Sequence, residues 1–220
     1  MNNILKYHKS GQDMVIDLTK SAPNQIKPFP HIEDLCKYWR SKGYKEVIDV
    51  GCGQLRNSLV LVDYFKLWIC DFPELLHSPT VSQRLADLQA KQNFLGIIDP
   101  NEFQKGKLTA DATVIAYVLH TLPEIRMRVK LVRGTIRNTK VPHEVFIAVP
   151  NGEYYYRQRM GTHNQFSDGH LFDGGSGHKT FYREYTAEQM DEFMGQLGFK
   201  FDRTFPADKK NQRTYFKEKR

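Results

Sequence analysis

Lys45-Glu46-Val47-Ile48-Asp49-Val50-Gly51-Cys52-Gly53-Gln54-Leu55-Arg56-Asn57-Ser58 decides the reading of this chain. The apolar run Val47-Ile48-Asp49-Val50 reads as a buried strand. It ends in Gly51-Cys52-Gly53, and a helix-like run carrying Leu55, Leu59, Leu61 and Val62 starts at once. Strand, tight glycine turn and helix make a ligand-sized crevice at the carboxyl edge of the first strand of an α/β sheet. Glycine lets the backbone pass close to a ligand, and unpaired N–H groups at the helix start point into the same space. Asp49, two residues before Gly51, would repel a diphosphate; it suits a cationic or amino-bearing ligand.

Working outward, Lys66-Leu67-Trp68-Ile69-Cys70 is a second apolar run, closing on Asp71. Asp71 lies 20 residues after Gly51, where a Rossmann-like crevice places a carboxylate for a ribose. A carboxylate accepts two hydrogen bonds from a cis-diol; the plainer role is a strand-end cap before Phe72-Pro73. A third run, Phe94 to Ile98, ends at Asp99-Pro100. A fourth opens at Asp111, runs through Ala116 and Tyr117, and leads to Leu119-His120-Thr121-Leu122-Pro123. A helix is expected from about Glu124 to Asn138, with Ile125, Val129, Val132 and Ile136 as its apolar stripe. The fifth strand is expected over Glu144 to Val149. Thr186 reads as an N-cap of a helix with Met190, Phe193, Met194 and Leu197 on one face, ended by Gly198. Phe199-Lys200-Phe201 and Thr214-Tyr215-Phe216 read as two short strands.

The glycine turn resembles motif I of the class I S-adenosylmethionine (SAM)-dependent methyltransferases, roughly acid-x-Gly-x-Gly. SAM carries a sulfonium and an ammonium and no phosphate, which suits Asp49. The run through Arg56-Asn57-Ser58 looks especially like the tellurite-resistance-type branch, although the third glycine common in the family is Leu55 here. Order and spacing extend the resemblance over residues 31–217. It implies an α/β fold: a Rossmann-like seven-stranded sheet with helices on both faces and a C-terminal antiparallel hairpin. It also implies SAM as cofactor, held by Asp49, Gly51, Cys52 and Gly53, and by Asp71 on the ribose beside Phe72. Asp99 would meet the adenine amino group or serve as a turn residue with Pro100. Tyr117 and the loop through Pro123 would lie beneath the methionine part. His120, with an ordinary pKa suited to neutral pH, is the candidate general base; its plainer roles are a loop residue or a cofactor contact.

The loop also excludes chemistry. Base-amino methylation needs an Asp/Asn-Pro-Pro-aromatic loop after the fourth strand, and His120-Thr121-Leu122-Pro123 is not one. Cytosine-C5 methylation needs a Pro-Cys turn, and none of Cys36, Cys52 and Cys70 follows a proline. Three cysteines make no disulfide framework and fit a reducing cytoplasm. No metal site is expected: His163, His170 and His178 stand seven and eight residues apart, without a fixed frame. No apolar run is long enough for a membrane span.

Residues 1–30 read as an N-terminal arm, with a strand over Met14 to Leu18 and Tyr7, His8 and Lys9 available to line a pocket. Residues 151–183 have no regular period and read as an acceptor-binding lid, holding Tyr154-Tyr155-Tyr156, Arg157, Arg159, Phe166, Phe172, Phe181 and Tyr182. The net charge of +7 favours an anionic partner or surface. Arg126, Lys130, Arg133 and Arg137 share one helix face, and Lys209, Lys210 and Arg213 lie in a basic tail. The leading expectation is a small-molecule acceptor. Nucleic acid bound by the basic helix and tail stays open, as does a non-catalytic SAM-binding subunit.

Overall fold

The computed structural model describes residues 3–9, 12–21, 27–150, 164–173, 177–205 and 211–218. Tyr154, Tyr155, Tyr156, Arg157, Arg159, His163, Lys209 and Lys210 lie outside the described residues, as does the side chain of Lys9. The chain runs β1 (Ile4–Lys9), β2 (Gln12–Asp17), α1 (Ile32–Ser41), β3 (Glu46–Val50), α2 (Ser58–Tyr64), β4 (Lys66–Cys70), α3 (Pro73–Leu76), α4 (Pro79–Gln89) and β5 (Phe94–Ile98). It continues through α5 (Pro100–Lys105), β6 (Ala110–Ala116), α6 (Ile125–Asn138), β7 (Thr139–Ala148), β8 (Gln165–Phe166), β9 (Gly169–Asp173) and β10 (Lys179–Tyr182). α7 (Ala187–Gln196), β11 (Lys200–Thr204) and β12 (Gln212–Lys217) close it.

Seven strands form the main sheet in the order β11-β12-β7-β6-β3-β4-β5. β3 to β7 are parallel to their neighbours among themselves, and β12 is antiparallel to both β7 and β11. This is the expected sheet with its C-terminal antiparallel pair. Parallel strands covered on both faces need apolar residues on both faces. Alternate side chains of β3 and β6 accordingly go to opposite cores. Val47 and Val114 pack with Leu35, Trp39, Leu61 and Leu85, from α1, α2 and α4. Ile48 and Ile115 pack with Leu131 and Val132 of α6 and Met190 and Met194 of α7. Strand order reverses on either side of β3, since the next strand in sequence, β4, lies on one side and β6 on the other. A ligand crevice belongs at such a switch point, outside the carboxyl ends of the strands.

Local chemistry sets the element ends. Thr186 and Gln189 make a reciprocal capping box at the start of α7, and Gly198, with φ 81°, follows its end. Three expectations need correction. The α6 stripe is rotated: Ile125 is 51% exposed, while Met127, Arg128, Leu131, Val132, Thr135 and Asn138 are buried. Polar residues at core-facing positions disguised the true face. β7 starts at Thr139, five residues before Glu144, with Pro142 inside it; proline reads as a strand boundary. The helix after the glycine turn begins at Ser58, not Leu55.

The arm is not a lone strand. β1 and β2 form a hairpin whose second strand joins β10, giving a separate five-stranded sheet in the order β1-β2-β10-β9-β8. The arm and the expected lid segment are therefore parts of one accessory sheet. No helix among the described residues is long and apolar enough to cross a membrane.

Candidate cofactor and acceptor site

Gly51 opens the turn after β3. Its N–H donates to the carbonyl of Cys70 at 2.7 Å, extending the β3–β4 ladder by one bond. Its φ is +69°, and a Cβ there would lie 2.3 Å from Cγ2 of Val118. Only glycine meets both conditions, and the contact brings the loop after β6 against the turn. Gly53 also has positive φ, 53°. Leu55 takes the same left-handed backbone, φ 59°, with its side chain fully buried. The residue where the family's third glycine is common thus keeps a glycine-like backbone, at about 1–2 kcal/mol of strain.

Two acids stand at the ends of β3 and β4. Asp49 is buried and accepts from Ser58 Oγ at 2.6 Å. Burial pushes its pKa up to about 7 against that hydrogen bond, and the nearby Asp71 charge adds to the rise. Asp71 accepts from the Gly53 N–H at 2.7 Å through Oδ2 and from the Phe72 N–H at 2.8 Å through Oδ1. Burial raises its pKa to about 6, while the two amide donors lower it. Each oxygen accepts one bond from backbone, the Cys52 thiol is a third donor, and a carboxylate has about four acceptor positions, so at least one stays open to a ligand hydroxyl. Cys52 is buried in the same turn, and burial holds its thiol well above its ordinary pKa. Asp99 accepts from the Asn101 N–H at 2.7 Å and caps α5, which is the turn role.

The loop after β6 carries Tyr117 and His120. Tyr117 has φ 61°, and its N–H donates to Ala148 O at 2.8 Å. The Arg56 guanidinium sits 5.2 Å from its ring centroid. His120, in a single 3-10 turn, is 6% exposed. Burial pushes its pKa down to about 3, so the expected pKa near neutrality is corrected: no charged partner among the described residues repays the lost solvation, and the ring is uncharged at pH 7.

Sequence reasoning missed Arg128. It is fully buried and forms a bidentate pair with Asp168, with distances of 2.7 Å and 2.5 Å. Its Nε donates to Leu122 O at 2.8 Å and its Nη2 to Pro123 O at 3.3 Å. Asp168 lies in the β8–β9 turn and also accepts from Arg183. The Arg183 N–H in turn donates to His120 O at 2.9 Å. One buried cation therefore ties the His120 loop to the accessory sheet. Its position on the Leu131–Val132–Thr135 face was the available signal.

From the arm, Tyr7 donates to Glu124 at 2.6 Å, whereas His8 is exposed and pairs with Asp13. Arg126, Lys130, Arg133 and Arg137 are exposed as expected. Arg213, counted with the basic tail, is instead held by Asp191 and Tyr215.

No protein-family model matches the chain, and no curated protein matches it. Solved structures do. The methyltransferase CcbJ of Streptomyces caelestis superposes with a TM-score of 0.65 at 13% identity, covering 93% of this chain and all of that one, 100%. Magnesium protoporphyrin IX methyltransferase of Synechocystis, solved with S-adenosylhomocysteine, gives 0.58 at 12% identity, covering 85% and 82%. The 1,6-didemethyltoxoflavin-N1-methyltransferase of Burkholderia thailandensis, solved with that acceptor and S-adenosylhomocysteine, gives 0.57 at 14% identity, covering 86% and 79%. Strand order, the closing antiparallel pair and these superpositions agree: the chain has the Rossmann-like fold of the SAM-dependent methyltransferases.

Proposed function

We propose that this protein is a SAM-dependent methyltransferase acting on a small-molecule acceptor. The observation that carries the reading is the acid pair Asp49 and Asp71, buried at the ends of adjacent strands and joined through the glycine turn by the Gly53–Asp71 hydrogen bond. Two buried carboxylates disfavour a diphosphate and favour a ligand that brings cationic groups and a diol. SAM has both, so the residues present fit it. The proteins of similar fold solved with S-adenosylhomocysteine support the same choice.

Asp71 would hold the ribose hydroxyls, with Phe72 beside it. Asp49, Cys52 and the turn amides would take the amino-acid end, and Tyr117 would lie under it. Asp99 keeps one carboxylate oxygen on its helix cap and would offer the other to the adenine amine. Bound SAM supplies a methyl group on a sulfonium, whose sulfur keeps the bonding pair when an acceptor lone pair takes the methyl carbon. Such an electrophile needs alignment and dryness more than a strong base. His120, uncharged and buried, serves as a hydrogen-bond acceptor that orients the acceptor and relays its proton towards water.

Incubating the protein with SAM and fractions of a cell extract, with and without nuclease, tests this. Formation of S-adenosylhomocysteine dependent on a nuclease-resistant, low-mass fraction is the expected result. Turnover lost on nuclease treatment would replace the small acceptor with nucleic acid. SAM binding without turnover in any fraction would point to a non-catalytic subunit.

A further inference from the structure

Rings from both sheets meet at the loop after β6. Tyr117 and His120 stand edge-to-face, centroids 6.3 Å apart and planes at 89°. His120 and Tyr182 are 5.6 Å apart at 75°, and Tyr182 and Phe172 are 6.2 Å apart at 77°. Tyr117 and His120 follow β6, whereas Phe172 and Tyr182 belong to β9 and β10 of the accessory sheet. The Arg183–His120 backbone bond fixes this junction. Val118, between Tyr117 and Leu119, abuts Gly51, so the group of rings stands beside the turn assigned to SAM.

The Nδ1 atom of His120 is buried among these rings and has no hydrogen-bond partner among the described residues. Leaving a buried polar group unmet costs about 1–3 kcal/mol, and folded proteins seldom leave one without a reason. A donor entering between the rings would meet it. No charged group among the described residues acts on the imidazole, whose basicity is lowered by burial. An acceptor that brought a phosphate or carboxylate into contact with this ring would bury a charge without a partner. Flat aromatic faces instead suit a flat, uncharged guest.

Resting on the methyltransferase reading, we propose that the acceptor is a flat ring bearing a hydroxyl or amine group, held among Tyr117, Phe172 and Tyr182, with that group donating a hydrogen bond to the His120 imidazole. The roles divide accordingly. The rings select shape, and His120 selects the position of the group to be methylated.

The test uses the full chain saturated with S-adenosylhomocysteine and two probes of one shape, 2-naphthol and 2-methoxynaphthalene, the second lacking the donor. Expected are binding of 2-naphthol at least tenfold tighter, equal binding of both probes in His120→Phe, and partial return of the preference in His120→Gln. S-adenosylhomocysteine binding should change less than twofold in either variant, which also shows that they fold. The wild-type comparison decides by itself should a variant fail to fold. Equal affinity of the two probes in the wild type, a preference that survives in His120→Phe, or binding of S-adenosylhomocysteine with no binding of either ring would each overturn the acceptor assignment. Absence of S-adenosylhomocysteine binding would remove the methyltransferase reading itself, and the acceptor with it.

Discussion

The backbone amide of Gly53 donates to Oδ2 of Asp71 at 2.7 Å. The turn that ends one strand and the acid that ends its neighbour are therefore one unit. An acid in that position holds the turn closed in the free protein and keeps an acceptor position for a ligand. Changes to the turn should consequently act on stability and on cofactor affinity together.

Leu55 allows the competing effects to be weighed. Leu55→Gly would relieve about 1–2 kcal/mol of left-handed strain, but glycine returns about 0.5–1 kcal/mol of that as chain entropy. Losing a fully buried leucine costs about 2–5 kcal/mol. Packing wins, and urea unfolding should show a net loss of about 2–3 kcal/mol. A more stable variant would show that the backbone there is strained beyond what the side chain offsets.

Asp49 makes stability depend on pH with a sign opposite to the common carboxylate case. Its pKa rises from an ordinary 3.8 to about 7 in the folded protein. Between those values the unfolded chain has lost the proton and the native state has kept it, so the stabilisation present at pH 4 falls as pH rises to 7. Relative to Asp49→Asn, the ligand-free wild type should lose thermal stability across that window. Binding a cationic ligand should also expel the proton near pH 6.5, seen as a binding heat that varies with the buffer's ionisation enthalpy. Parallel melting curves for the two proteins from pH 4 to 7 would contradict the assignment.

Arg128 and Asp168 should respond unequally to mutation. Asp168→Ala leaves a guanidinium buried with no carboxylate but keeps its bonds to Leu122 and Pro123, and a loss of about 3–5 kcal/mol is expected. Arg128→Met fills similar space and leaves Asp168 with Arg183 and partial solvent contact, so the loss should be nearer about 2 kcal/mol. Unfolding of the two variants in urea compares them directly. The reverse order would mean that Asp168 depends on Arg128 more than Arg128 depends on it.

The sheet could be read in the sequence because buried parallel strands are short apolar runs closing on glycine or acid, as in Val47–Gly51 and Lys66–Asp71. The acid spacing was legible for the same reason: strand, turn and helix lengths are set by the thickness of the fold. The accessory sheet was not, because β1, β2 and β8 to β10 are short, partly exposed strands whose pairing joins residues far apart in sequence. Arg128 hid because charge is read as exposure, and the carboxylate that neutralises it in the interior, Asp168, stands 40 positions away. His120 was found by its place in the loop, yet its ionisation depends on burial, which no local pattern reports.

Calorimetric titration of SAM into the wild type and Asp71→Ala tests the central claim most directly. Saturable one-site binding is predicted, weakened at least tenfold in the variant, since up to two charge-assisted bonds of about 1.5–3 kcal/mol each are lost. Circular dichroism of the variant serves as the check on folding. A folded Asp71→Ala protein that binds SAM as tightly as the wild type, or a wild type that gives no heat with SAM, would contradict the account.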